Sequence, residues 1–193
     1  MATPRDSERF QPDTLAQWRA WLALNHLGSA GIWLVTWKAS TGRPRISYDE
    51  AVEEALAFGW VDSSSRSLDD ERTMLWFTRR KASSPWSLSN KERIARLEAT
   101  GRISDAGRGA VRAAQANGMW TLLDDAQNLI EPDDLAAALD AVPDARFNWE
   151  SFSASARRSV LEWIVLARKP ATRTNRIAET VRRAANGEVA NQS

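Results

Sequence analysis

Gly59-Trp60-Val61-Asp62-Ser63, followed by Phe77-Thr78-Arg79-Arg80-Lys81-Ala82-Ser83-Ser84-Pro85-Trp86-Ser87 and Asn90, is the stretch on which the reading of this chain turns. Two tryptophans, a carboxylate, a cationic run and short polar side chains fall in one window. Its periodicity predicts a strand over Trp60 to Ser67, a polar turn at Leu68-Asp69-Asp70-Glu71, a strand over Thr73 to Thr78 and then the start of a helix. Asp or Arg set against indole rings must be paired, solvated or in contact with a ligand. The window is therefore also the first place to look for a site.

Upstream, Ile32 to Lys38 is β-branched and aromatic at both alternating sets of positions, as a strand covered on both sides requires. Thr14 with Gln17 forms a capping box ahead of Leu15, Trp18, Trp21 and Leu22, which predicts a helix over about Leu15 to Asn25. Ser47 with Glu50 forms a second box, opening a helix whose Val52, Ala55 and Leu56 face inward and whose exit is Gly59. Tyr48, after the capping serine, is expected to pack locally, and His26 to act at a helix end.

Downstream the chain reads helical. Ser89 with Glu92 caps a helix stopped at Gly101, and Ser104 starts another that stops near Gly118. Pro132 at a first helical position precedes Leu135, Leu139 and Val142. A last pair carries Val160, Trp163, Ile164 and Ala167, then Ile177, Val181 and Ala184, separated by Lys169-Pro170-Ala171. Glu188 to Ser193 is expected to fray. The fold class is α+β: a small antiparallel sheet packed with helices, then a C-terminal helical hairpin module. The expected division is residues 1–125 and 126–193, with the hinge at Ala126 to Pro132.

Composition narrows the function. The chain has 193 residues, 43% hydrophobic and 26% charged, as expected of one well-filled core with a helical appendage. A net charge of +1 gives no global drive toward nucleic acid or an anionic membrane. With no cysteine and one histidine, His26, neither disulfides, thiolate chemistry, a zinc site nor a Ser-His-Asp triad is expected. No metal and no cofactor is expected. Met1 to Gln11 is polar, without the roughly 7 to 15 apolar residues of a signal peptide, and no apolar run nears the roughly 20 residues that span a bilayer. A cytoplasmic, not membrane-spanning protein is the expectation. The ten tryptophans are mostly core packing.

Trp60 and Asp62 are two apart on a strand and share a face. Asp62 paired with Arg80 or Lys81, and that cation held over Trp60 or Trp86, would form an aromatic and charged pocket for a polar ligand. Alternatively, Asp62 accepts hydrogen bonds from Ser63, Ser65 or backbone amides in a hairpin. Ser84, Ser87 and Asn90 lie at a helix start, where an anion would be held with Arg80 and Lys81, or where Ser87 or Ser89 simply caps. The C-terminal Arg157, Arg158, Arg168, Lys169, Arg173, Arg176, Arg182 and Arg183 would grip phosphates, or form a solvated face beside Glu162 and Glu179.

The same residues resemble the signature of the YdeI/OmpD-associated, or bacteriocin-protection, family. In that family Gly-Trp-(Ile/Val)-Asp-Ser is followed by Phe-Thr-Pro-Arg-Lys and Ser-x-Trp-Ser-x-x-Asn. Gly59, Trp60, Asp62, Phe77, Thr78, Arg80, Lys81, Ser84, Trp86, Ser87 and Asn90 match; Arg79 stands where the family usually has Pro, and Ala82 and Ser83 where it often has Pro and Lys. The similarity continues through Gly101, Ala106-Gly107, Gly118 and Trp120 to Glu162-Trp163-Ile164, Ala167-Arg168-Lys169-Pro170, Thr172-Arg173 and Arg176-Ile177, nearly the whole chain. It implies a bacterial protein linked to tolerance of bacteriocins or antimicrobial peptides and to envelope stress. The expected ligand-binding set is Trp60, Asp62, Ser63, Arg80, Lys81, Ser84, Trp86, Ser87 and Asn90, with Arg173 and Arg176 docking on the N-terminal unit. The partner is a small polar or anionic ligand, or a protein, and not a specific nucleic acid. Two alternatives stay open: a small-molecule enzyme using Asp62 and Arg80, and a nucleic-acid-binding regulator.

Overall fold

The structure, a computed structural model, describes residues 8–191. Expectations for Met1 to Ser7, and for Gln192 and Ser193, lie outside the described residues. The chain forms two compact units: residues 8–84 with 89–120, and residues 85–88 with 121–191. The segment expected to be a hinge, Ala126 to Pro132, falls inside the second.

The first unit carries strands β1 (Arg9–Phe10), β2 (Ile32–Trp37), β3 (Trp60–Ser67) and β4 (Arg72–Arg79) in the order β1-β2-β4-β3. The three long strands pair antiparallel, whereas β1 pairs parallel to β2 through Arg9 with Trp33 and Phe10 with Leu34. The α+β class stands, but the sheet is mixed rather than purely antiparallel. Two residues are too few to show a period of two, so β1 exists only through its pairing with a distant strand.

Helices α1 (Leu15–Asn25) and α2 (Tyr48–Ala57) start at the two capping boxes, whose reciprocal bonds are all present. The registers Ile32 with Phe77, Leu34 with Leu75 and Asp62 with Phe77 put Trp60 and Asp62 on one sheet face with these apolar residues. That face is the covered one. Trp18 lies 5.3 Å from the Phe77 ring, Trp21 meets Trp60 edge-on at 5.8 Å, and Trp18 Nε1 donates to Ala51 O at 3.1 Å. Each such fully buried large side chain contributes about 1.5–3 kcal/mol over its exposed state. On the opposite face Trp33, Val35 and Met74 form a smaller apolar cluster, with the Arg66 guanidinium 5.4 Å from the Trp33 ring.

Helix α3 (Leu88–Ala99) begins one residue before Ser89, so Ser89 is not its cap; Leu88 N donates instead to Gln127 Oε1 at 2.7 Å. Helix α4 (Asp105–Ala116) is capped by Ser104 as expected, and the same serine joins it to α2. Ser104 donates both its N–H, at 2.9 Å, and its hydroxyl, at 2.7 Å, to the carbonyl of Ala57. A Cβ on Gly107 would overlap that carbonyl and stand 2.9 Å from Ile103 Cγ1, so only glycine permits the approach.

The second unit comprises α5 (Asp124–Gln127), α6 (Asp133–Asp140), α7 (Pro143–Ser151), α8 (Ala154–Val165) and α9 (Pro170–Ala185). It is more than a hairpin, since α6 and α7 also pack on α9. Leu135, Leu139, Trp149, Val160, Leu161 and Ile164 are among its fully buried residues. Pro132 is the cap of α6 rather than its first helical residue, and Pro143 opens α7, a helix the sequence did not announce. Up to Asn191 the tail does not fray: Ala190 is buried and Glu188 pairs with Arg183. Among the described residues no helix is long and apolar enough to cross a membrane.

Candidate functional site

Asp62 points from β3 toward the N-terminus of α2, where the capping box fixes the first helical residue, Tyr48. The Tyr48 hydroxyl donates to Asp62 Oδ2 at 2.9 Å. Burial, and then the hydrogen bond and charge of Asp62, push the Tyr48 phenol up from its ordinary 10.0 to about 12. At neutral pH it is a committed donor rather than a base. Local packing of Tyr48 is thus corrected: its partner lies on β3.

Arg80 sits one residue past β4, with its N–H donating to Gly59 O at 2.9 Å. Burial pulls its guanidinium down to about 10, and the Asp62 carboxylate opposes that shift. Arg80 therefore stays charged at pH 7 with Asp62 as its electrostatic counterpart. Arg93, nearly buried on α3, pairs with Asp49 of α2 and donates to Asn90 Oδ1 at 3.1 Å. The charges of both Arg93 and Asp49 act on Tyr48. The first unit thus gathers Asp62, Tyr48, Asp49, Arg93 and Asn90, with Arg80 in electrostatic reach of Asp62.

Other expected site residues go elsewhere. Trp60 is fully buried in the core, its Nε1 donating to His26 O at 3.1 Å, and it does not line the cavity described below. Among the described residues no cation is placed over it. Ser63 is the exposed residue at the irregularity in the β3 register between Asp62 and Ser64. Lys81 is exposed, and its carbonyl accepts from Ser84 N at 3.0 Å to close a turn. Trp86, buried, and Ser87 belong to the second unit. Arg173 and Arg176 are engaged inside that unit too. Arg173 pairs with Asp134 at 2.7 Å, and Arg176 donates to Trp163 O and lies 4.9 Å from the Trp163 ring. Arg182 and Arg183 both pair with Glu179.

Beside Tyr48 the covered sheet face opens into a cavity of about 210 Å³. Its sheet side is Leu34, Thr36, Ser65, Thr73 and Leu75; its helix side is the segment Arg45 to Tyr48 with Ala51. Sequence reasoning missed this cavity, although a signal existed. Along β2 and β4 the inward positions run apolar from Ile32 and Phe77 and turn polar at Thr36 and Thr73, which pair with each other. Among the described residues no cluster of three or more His, Asp or Glu could hold a metal ion.

The architecture is a sheet-and-helix unit with a polar-rimmed cavity, joined in sequence to an all-helical unit. Residues 10–110, more than half of the chain, match the family described as "Domain of unknown function (DUF8412)", and the chain belongs to that family. Residues 128–187 match the family described as "Bacteriocin-protection, YdeI or OmpD-Associated". The resemblance drawn from the sequence is therefore shown over that segment of the second unit, while Gly59 to Asn90, which first suggested it, lie outside the match. Among curated proteins and solved structures none matches the chain significantly.

Proposed function

We propose that the protein is a cytoplasmic receptor for a small polar ligand, held in the first unit beside Asp62, and that it acts in tolerance of bacteriocins or antimicrobial peptides under envelope stress. The observation that carries the binding reading is the Tyr48–Asp62 hydrogen bond at the rim of a 210 Å³ cavity. A carboxylate with a neutral donor on one side and a buried guanidinium in electrostatic reach is costly to assemble unless it meets something. The tolerance role is supported by the printed description of the family matched in the second unit.

The test is a thermal-shift screen of metabolites and cationic peptides against wild type and Asp62→Asn, with a peptide-survival assay on both strains. A ligand at 100 times its Kd stabilises by roughly 2.7 kcal/mol, and Asp62→Asn, which alters the carboxylate that holds the Tyr48 hydroxyl at the cavity rim, should change that gain, each variant being compared with its own unliganded midpoint. Equal stabilisation of both proteins by every hit would refute the placement at Asp62.

A further inference from the structure

We infer that the cavity beside Tyr48 binds a small organic carboxylate, with the carboxylate at Arg45 and an apolar body on the sheet. This deepens the receptor reading above and rests on it. The argument starts from which polar groups at the cavity are already engaged. Ser47 accepts from Glu50 N at 3.3 Å and donates to Glu50 Oε2 at 2.6 Å, so the N-terminus of α2 is closed by its own glutamate. Tyr48 is engaged with Asp62, and Thr73 donates to Arg66 O at 3.0 Å.

Three lining groups remain. Among the described residues, the side chains of Thr36 and Ser65 make no hydrogen bond, and the exposed Arg45 makes none either, its guanidinium acting through its charge on the Glu50 carboxylate. A guanidinium and two hydroxyls are donors suited to a carboxylate, and guanidinium recognises it in a bidentate fork. Among the described residues lining the cavity Arg45 alone is cationic, and Glu50 already draws on its charge, which favours a singly over a doubly charged ligand. Leu34, Leu75, Ile46 and Ala51 supply the apolar wall, so the rest of the ligand is hydrocarbon. A volume of about 210 Å³ equals about seven waters at ~30 Å³ each, room for a small organic acid.

The experiment titrates hexanoate, phenylacetate, hexan-1-ol and inorganic phosphate into the full-length protein, followed by amide chemical shifts at Thr36, Ser65 and Thr73. Hexanoate should move these amides saturably, with hexan-1-ol weaker by about ten- to a hundredfold, the range for a lost charge-assisted hydrogen bond. Arg45→Gln should bring hexanoate down to the level of hexan-1-ol and leave hexan-1-ol unchanged. Thr36→Val, nearly isosteric, should weaken hexanoate without altering the unfolding midpoint. Equal binding of acid and alcohol, indifference of hexanoate to Arg45→Gln, or tighter binding of phosphate than of either acid overturns the inference but leaves a ligand cavity in place. If no carboxylate moves these amides the inference also falls. The receptor reading falls with it only if the whole metabolite panel leaves them unmoved.

Discussion

Tyr48 is the one tyrosine in the chain, so its ionisation can be read directly from tyrosinate ultraviolet absorbance. Its phenol is pushed from 10.0 to about 12 by burial first, then by the hydrogen bond and charge of Asp62, with Asp49 adding and Arg93 opposing. Because the folded value lies above the unfolded one, the contact's contribution to stability is fully present below pH 10. It is lost as the pH rises through about 12. Tyr48 is 54% exposed, so water screens the interaction and the shift is a better readout than any stability increment. Rapid alkaline mixing, with absorbance recorded before unfolding begins, should give a midpoint near 12 for wild type. Asp62→Ala should lower it by roughly one unit, the small end of the range for a lost neighbouring charge and hydrogen bond. The residue of the shift, due to burial, should survive. Arg93→Gln should move the midpoint the other way. A wild-type midpoint near 10, or no response to Asp62→Ala, would refute the assignment of Tyr48 and Asp62 as partners.

Leu56, fully buried in α2, should cost about 2–5 kcal/mol on truncation to alanine, measured by chemical denaturation; a smaller loss would mean the core collapses around it. Gly107→Ala sets two effects against each other. Helix propensity favours alanine by about 1 kcal/mol, whereas the overlap with Ala57 costs about 1–3 kcal/mol, so a net loss of stability is expected and a gain would show that α2 and α4 can separate freely. The Glu179 carboxyl is held down at about 2 by hydrogen bonds from Arg182 and Arg183, so its contribution is present above the ordinary 4.5 and lost as the pH falls through about 2. Side-chain carbon shifts should report that midpoint, and it should rise in Arg183→Ala and in high salt.

What could be read from the sequence was what is decided locally. Thr14 with Gln17 and Ser47 with Glu50 fix helix starts within four residues of chain, and Gly59 at φ +71 ends α2 as a left-handed exit. β3 spans Trp60–Ser67, up to the polar turn that follows it. What could not be read depended on residues far apart. Trp60 looked like a site residue because of its neighbour Asp62, yet strand alternation gives both the same face without saying which of the two reaches the rim. The partner of Asp62 is Tyr48, 14 positions earlier, and the bond exists only because α2 lies across the sheet. The polar lining groups Arg45, Thr36 and Ser65 come from three separate segments. α7 was hidden because Phe147 is an exposed aromatic on a short helix and blurs its stripe.

The Ser104 hydroxyl donates to Ala57 O at 2.7 Å and accepts from Gly107 N at 3.2 Å, so one atom ends α2 and begins α4. Neither helix end can loosen without releasing the other. The amide hydrogen of Gly107, ordinarily among the first to exchange at a frayed helix start, thereby becomes a reporter of whether α2 is seated on the sheet. Its exchange with deuterated solvent should slow whenever a ligand fastens Tyr48 at the far end of α2, giving a signal of occupancy at the opposite end of the helix from the one that the ligand meets.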